Sequence, residues 1–316
     1  MDHRDPGGRR VTPEKRATTA LLSIPGRHAH RQREPSLIRL QASVMVERQG
    51  KDSATLRGAT MTLANILVHL DSKPRTAARM ALSLRIAERV GARLTGLFAE
   101  KGDPQAGTVE SARAAFAAAA APLKDRAQFI ALNRGGDHEI IHRLTAIART
   151  FDLVVLGQTE DGVPVPAKLP DEVITESGRP VLVVPYVGTY DDVGRRPLFA
   201  WHNARGAARA VSDALPLLTG GCDALVIEVV GKSYPRYEFS DLLIANLAEH
   251  KVKARYEHSV VDEISVTDAL LGAISDHSAD LMAIGAFDSG VHALFGHGAG
   301  TRAVLAHMTA PVLFSH

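Results

Sequence analysis

Residues 281–316, LMAIGAFDSGVHALFGHGAGTRAVLAHMTAPVLFSH, decide the fold class of this chain. The apolar run Leu281–Gly285 stops at a glycine and predicts a buried strand. A loop dense in glycine follows, and residues 301–308 then place apolar side chains at helical spacing. Pro311 breaks that helix, and residues 312–314 predict a short last strand. Strand, glycine-rich loop, helix and strand in this order predict half of a doubly wound sheet, with the loop at the carboxyl end of the strand.

This loop combines the features of an anion-binding site. Glycines let backbone N–H groups approach an anion closely, and the start of the following helix adds the positive end of its dipole. The candidate binding residues are Gly285, His297, Gly298, Gly300 and Thr301. His297 lies between two glycines and could donate a hydrogen bond to a phosphate. The alternative is that the glycines only permit close backbone packing at the helix start.

Apolar runs of strand length alternate with helical patterns through the rest of the chain. The strands are predicted at residues 66–70, 93–98, 128–132, 153–157, 181–184, 198–200, 224–230 and 253–258, ahead of the two already described. The helices are predicted at residues 75–90, 108–123, 137–149, 204–218, 239–250 and 266–276, with Asp137 as a helix cap. This alternation predicts a parallel sheet with helices on both of its faces.

The pattern occurs twice, on either side of a polar linker at residues 188–196. FDLVVLG at 151–157 matches ADLMAIG at 279–285, and GRPVLVVP at 178–185 matches TAPVLFSH at 309–316. The offsets agree, since Gly157 and Gly285 are 128 residues apart and Pro180 and Pro311 are 131 apart. The sequence therefore predicts two copies of one domain of about 130 residues, at 61–188 and 195–316.

Both copies resemble the universal stress protein family. The nucleotide loop of that family has the spacing G-x2-G-x9-G followed by a small residue. Gly285 and Gly298 match the first and third glycines, Ala299 matches the small position, and Asp288 stands where the second glycine would be. The segments GTRAVL, PVLFSH and RPVLVVPY are similar to those of tandem bacterial members. The resemblance implies an α/β fold of two tandem doubly wound parallel five-stranded sheets, and ATP as a ligand.

In the family, an aspartate at the end of the first strand contacts the adenosine of ATP. Asp71 matches that position in the first copy, although a carboxylate there could instead cap the following helix. In the second copy the position is His202, within WHNAR, where tandem relatives commonly have Trp-Asp-Gly-Ser-Arg. The resemblance therefore implies an adenosine contact in the first copy and leaves it in doubt in the second.

The equivalent phosphate loop of the first copy is GQTEDGVPVPAKLP, residues 157–170. Glu160 and Pro170 occupy the positions of its second and third glycines. A carboxylate repels phosphate, and proline has no N–H group to offer. We expect this loop to act as a rigid cover and not to hold a triphosphate.

Charge is divided unevenly along the chain. Residues 1–60 hold 12 Lys and Arg against 6 Asp and Glu, whereas the remainder holds 25 against 29. The first segment also lacks sustained hydrophobic periodicity, so we expect a mostly disordered basic tail. The folded part is mildly acidic, which argues against a nucleic-acid partner.

Several classes of site and location are excluded or disfavoured by composition. Cys222 is the only cysteine, so no intrachain disulfide can form, and a reducing cytoplasm is expected. Because an apolar run at residues 224–230 follows it, we expect Cys222 to be a small buried residue and not a reactive thiol. No apolar run approaches the roughly 20 residues of a membrane span. His292, His297 and His307 are not spaced as metal ligands, and neither a Gly-x-Ser-x-Gly nor a Walker motif is present.

Three functional hypotheses remain. The first is a non-enzymatic tandem universal stress protein, a regulatory module whose ATP binding is weak or absent and confined to the second copy. The second is an ATP-hydrolysing enzyme of the same fold, and the third is a scaffold in which both ligand sites have decayed. In each case we expect the two copies to pair as a pseudo-dimer, with residues 181–184 and 312–314 near their interface. The sequence does not decide whether the chain also forms a homo-oligomer.

Overall fold

The computed structural model describes residues 63–102, 105–132, 135–160, 162, 164–232, 236–262, 264–287 and 298–316. These residues all fall within one compact unit. The predicted tail at 1–60 lies outside them, as do residues 288–297 of the predicted nucleotide loop, which include Asp288 and His297.

Strands and helices alternate as the hydrophobic pattern predicts. The strands are β1 (Asn65–Leu70), β2 (Arg93–Ala99), β3 (Ala127–Leu132), β4 (Leu153–Gly157), β5 (Val181–Val184), β6 (Pro197–Ala200), β7 (Asp223–Gly231), β8 (Lys253–Val261), β9 (Leu281–Gly285) and β10 (Val312–Ser315). The helices are α1 (Arg75–Val90), α2 (Ala106–Ala119), α3 (Asp137–Ala148), α4 (Leu169–Glu176), α5 (Arg205–Ala214), α6 (Ser240–Glu249), α7 (Val266–His277) and α8 (Ala299–His307).

All ten strands join one sheet, in the order β3-β2-β1-β4-β5-β10-β9-β6-β7-β8. The first five strands and the last five have the same internal order, and all pairs within each half are parallel. The predicted α/β fold of two doubly wound five-stranded halves is therefore confirmed. The structure adds that the two halves continue into each other as a single sheet.

The two halves meet at β5 and β10, which pair antiparallel with Leu182 opposite Leu313. Both leucines are fully buried. The two strands that the sequence places near the junction of the copies are therefore hydrogen-bonded neighbours. Their pairing covers two strand edges that would otherwise present unpaired N–H and C=O groups.

Helices cover both faces of the sheet. One apolar layer includes buried residues of α1, α2, α5 and α6, and the other includes those of α3, α4, α7 and α8. Successive strand residues alternate between the layers: Ile66 and Val68 of β1 face the first, and Leu67 faces the second. Among the described residues, no helix is long and apolar enough to cross a membrane.

Three proline-containing segments differ from the predicted elements. The helix predicted at 108–123 ends at Ala119 and continues as a 3-10 helix that contains Pro122, and Pro216 has the same effect after α5. Helix α4 was not predicted, because Pro170 was interpreted as part of a rigid loop. Proline is well tolerated in the first helical turn, where its missing N–H has no intrahelical partner, and Pro170 lies in that turn.

Two local predictions have different outcomes. Asp137 was predicted to cap α3, and this is wrong: the capping position is Gly136, and Asp137 is the first helical residue, without a capping hydrogen bond. Its negative charge still lies favourably near the helix N-terminus. Cys222 is buried, as predicted for a small packed residue, and burial raises the pKa of its thiol.

Candidate functional site

The first copy has a cleft at the carboxyl ends of β1 and β4. These neighbouring strands mark the point where the strand order reverses, which is where open α/β sheets bind ligands. The cleft encloses about 540 Å³, a volume that includes open solvent. Its lining includes His69, Asp71, Arg79, Gly157 and Pro170.

Arg79, from the second turn of α1, forms the buried centre of this cleft. Its Nε donates to the carbonyl oxygen of His69 at 2.7 Å. Its Nη2 donates to Asp71 Oδ2 at 2.7 Å and to Thr76 Oγ1 at 3.0 Å. The side chains of Arg79 and Asp71 are only 4% and 9% exposed, so this is a buried ion pair. Sequence reasoning did not identify Arg79.

Asp71 is therefore held within the chain. Besides Arg79, its carboxylate accepts hydrogen bonds from the Lys73 backbone N–H at 2.8 Å and from the Thr76 hydroxyl at 2.7 Å. The Lys73 contact is a turn in which an aspartate binds the backbone two residues on. Asp71 does not occupy the capping position of α1, which is Pro74. Burial alone would raise the pKa of Asp71, but Arg79 and the other donors lower it below its ordinary value.

His69, the last but one residue of β1, is fully enclosed behind this pair. Its Nε2 lies 2.9 Å from the carbonyl oxygen of Ala99, which fixes the proton on that nitrogen. Burial and the nearby Arg79 guanidinium lower its pKa to about 4. His69 is therefore neutral at physiological pH. A polar residue in the apolar run NILVHL was the available sequence signal for it.

The first glycine of each loop permits close packing in this structure. A Cβ atom added to Gly157 would lie 2.2 Å from Arg79 Nη1. In the second copy, a Cβ atom added to Gly285 would lie 2.6 Å from the backbone nitrogen of Ala207 in α5. The residue equivalent to Arg79 is Ala210, 131 positions later, so α5 packs its backbone directly against β9 where α1 has a guanidinium.

The other described candidate residues of the second copy lie at the start of α8. Gly298 precedes the helix with a φ of 71°, and Ala299, Gly300 and Thr301 form its first turn. The Thr301 hydroxyl accepts a hydrogen bond from the Phe287 N–H at 3.0 Å. The structure thus brings the end of β9 and the start of α8 together.

The remaining predicted positions are separate from that group. Asp71 belongs to the cleft of the first copy. His202, its equivalent, follows β6 and is partly exposed. His297 lies outside the described residues, so the second loop is described only at its two ends.

Side-chain contacts at Gln158 and Asp171 connect the first copy to α8. The Gln158 amide donates to the carbonyl oxygens of Leu305 and Ala306 at 2.9 and 3.0 Å, in the last turn of that helix. Near the other end of the helix, Arg302 pairs with Asp171 of α4 at 2.7 Å. The helix that begins at the second loop is therefore held by residues of the first copy. No sequence pattern marked Gln158.

Solved structures similar to this chain include universal stress proteins. The universal stress protein of Archaeoglobus fulgidus DSM 4304 aligns with a TM-score of 0.61 and 14% identity, over 79% of this chain and 95% of its own. A putative universal stress protein of Pseudomonas aeruginosa UCBPP-PA14 aligns with a TM-score of 0.51 and 15% identity, over 80% and 93%. These likenesses show that the chain has the universal stress protein fold. No family model matches the chain, and no curated protein matches it.

Proposed function

We propose that this chain is a non-enzymatic tandem universal stress protein, a regulatory module of the stress response with weak adenine-nucleotide binding. The fold of the two halves and the resemblance of both sequence copies support the family. The residual ATP site is in the second copy, where the loop retains Gly285, Gly298 and the small residues that follow. The single cysteine supports a cytoplasmic location.

The observation that carries this proposal is that the Asp71 carboxylate is already hydrogen-bonded within the chain. Family members use an aspartate at this position for adenosine, but here the carboxylate accepts hydrogen bonds from Arg79, Thr76 and the Lys73 backbone. A nucleotide would have to replace those partners. In the second copy the equivalent residue is His202, which has no carboxylate. Neither copy therefore offers both parts of the family's site in an accessible form.

The state of His69 argues against ATP hydrolysis in the first copy's cleft. A general base for ATP hydrolysis needs a pKa near the working pH and an accessible nitrogen. The pKa of His69 is about 4, it is 2% exposed, and its Nε2 is bonded to Ala99. The histidine of the first copy's cleft is thus poorly placed to activate water.

The two copies are further proposed to form an internal pseudo-dimer. Their contact combines the β5–β10 pairing with the Gln158 and Arg302 contacts to the opposite copy. It gives one chain the two-subunit arrangement that single-domain relatives would need two chains to form.

Calorimetric titration of ATP into the full chain tests the nucleotide proposal. We compare the native protein, Asp288→Gly, and Asp288→Gly combined with His202→Asp. The first change restores the family's second glycine and removes a repelling charge, and the second restores the strand-one carboxylate. Affinity is expected to rise in that order, by about tenfold per step, which corresponds to roughly 1.4 kcal/mol.

Asp191→Gly, at an exposed aspartate of the linker, is the matched control and should leave ATP affinity unchanged. Tight ATP binding by the native chain would contradict the proposal, and so would a loss of binding in Asp288→Gly.

A further inference from the structure

The first copy's cleft contains a buried cationic group with donors still available. An arginine guanidinium carries five N–H donors, of which Nη1 holds two. Nε and Nη2 of Arg79 are bonded to His69, Asp71 and Thr76. Nη1 donates to no atom in the part of the chain that the structure describes. It lies against Gly157, at the base of the cleft that both residues line.

The charges around Nη1 favour an anion. Lys73 and Arg75 also line the cleft and bring two further positive charges to it. The Asp71 carboxylate pairs with Nη2 and not with Nη1. Glu160 is the other acid of the lining, and it is exposed to solvent. Hydrogen bonds between a guanidinium and an oxyanion are among the strong ones in proteins, because both partners are charged.

The surrounding loop limits the size of this anion. Pro170 occupies the position of a family glycine, and proline has no backbone N–H to donate to a chain of phosphates. The Glu160 carboxylate would repel such a chain. Arg79 itself fills the space between the ends of β1 and β4. A single charged group needs only the Nη1 donors, whereas a triphosphate finds few further donors in this loop.

We propose that the first copy's cleft binds a small oxyanion, one phosphate or carboxylate group, through Arg79 Nη1 with Lys73 as the second cation. This site is distinct from the residual ATP site proposed for the second copy. It uses a residue that has no counterpart there, since Ala210 takes the place of Arg79.

Titration of inorganic phosphate into the isotope-labelled full chain, followed by amide NMR, tests this site. Saturable shifts are expected at the amides of Gly157 and Gln158, beside Nη1. Sodium acetate is the second arm, and saturation by acetate alone would assign the site to a carboxylate. Sodium chloride at the same ionic strength should not shift the NMR signals of either amide. Any ATP binding in the second copy would instead shift Gly285 and Gly298, so the two proposals fail separately.

Substitutions distinguish a specific role of the Arg79 donors from a general effect of positive charge. Arg79→Lys keeps a cation beside Asp71 but removes the Nη1 donors, and phosphate should bind about tenfold more weakly, the loss typical of one charge-assisted hydrogen bond. Arg89→Lys is the matched control, because Arg89 lies on the same helix and pairs with Asp192 outside the cleft. It should not change phosphate affinity.

Lys73→Ala provides a second variant in case Arg79→Lys does not fold. Its side chain is only partly buried, and its backbone contact with Asp71 survives the change. Phosphate affinity should fall severalfold. The proposal is overturned if neither anion saturates the Gly157 and Gln158 shifts. It is equally overturned if the folded variants bind both anions as tightly as the native chain.

Discussion

Arg79 determines whether the Asp71 carboxylate is available to a ligand. The sequence alone identifies Asp71 as a carboxylate at the end of a strand, where it could face a ligand or the chain. The structure places a guanidinium from the next helix 2.7 Å from it. Both members of this pair change together between the two copies, since Asp71 becomes His202 and Arg79 becomes Ala210. Comparison of the copies at these two positions was therefore the sequence signal for the contact.

His69 should make the stability of the native state depend on pH. The pKa of its side chain is about 4 in the folded protein, against 6.5 ordinarily. Between these values the unfolded chain binds the proton and the folded chain does not, so stability falls as pH decreases from 6.5 to 4. The full loss corresponds to about 3 kcal/mol. Urea unfolding at pH 7.5 and pH 4.5 should show it.

His69→Gln tests the origin of that dependence, because a glutamine amide can also donate to the Ala99 carbonyl but does not titrate. The variant should lose less stability between the two pH values than the native chain. His250→Gln, at an exposed histidine, should behave like the native chain. Equal losses in the native chain and His69→Gln would show that His69 does not contribute.

At the scale of single elements, the glycine that ends β9 should be required for packing without any ligand. A Cβ atom at Gly285 would meet backbone atoms of Gly206 and Ala207, which cannot move without shifting α5. Gly285→Ala should therefore lower the free energy of unfolding by about 1–3 kcal/mol in ligand-free protein. Urea denaturation measures the change.

Gly272→Ala is the matched control for that substitution. Gly272 lies in α7, and an added Cβ would meet no atom within 4 Å. Alanine also favours the helix, so this variant should gain about 0.5–1 kcal/mol. A Gly285→Ala variant as stable as the native chain would instead favour a purely ligand-related role for the glycine.

The secondary structure was predictable where the hydrophobic period was long and uninterrupted. The pattern places α1 at the observed Arg75–Val90 and β9 at Leu281–Gly285. The pattern failed at prolines, because a proline can either begin a helix or end one. Pro170 begins a helix that the sequence alone did not identify, while Pro122 and Pro216 change an α-helix into a 3-10 turn earlier than predicted.

The candidate site was less predictable than the elements that form it. The family resemblance identified Asp71 because it matches a fixed position in a known pattern. It did not identify Arg79, the buried His69 or Gln158 as members of the site. Their roles depend on distances between side chains from different elements, which the spacing along one chain does not encode.

At the scale of the whole molecule, the two copies contact each other through a strand pair and through side chains. Strand β5 of one copy completes the sheet of the other through β10, and both strands are buried there. Gln158 and Asp171 of the first copy also hold α8 of the second. The helix that carries the second loop is thus positioned partly by the first copy.

This arrangement predicts that residues 61–188 and 195–316, expressed separately, form a complex when mixed. Gln158→Ala in the first fragment should weaken this complex, because the hydrogen bonds from the side-chain amide to the carbonyl oxygens of Leu305 and Ala306 are lost. Gln128→Ala, at an exposed glutamine on the same fragment, is the matched control and should leave the affinity unchanged.

Light scattering after size-exclusion chromatography of the mixed fragments measures the association directly. A one-to-one complex, weakened by Gln158→Ala and unaffected by Gln128→Ala, is the expected result. Two well-folded fragments that both stay monomeric after mixing would contradict the internal pairing of the two copies.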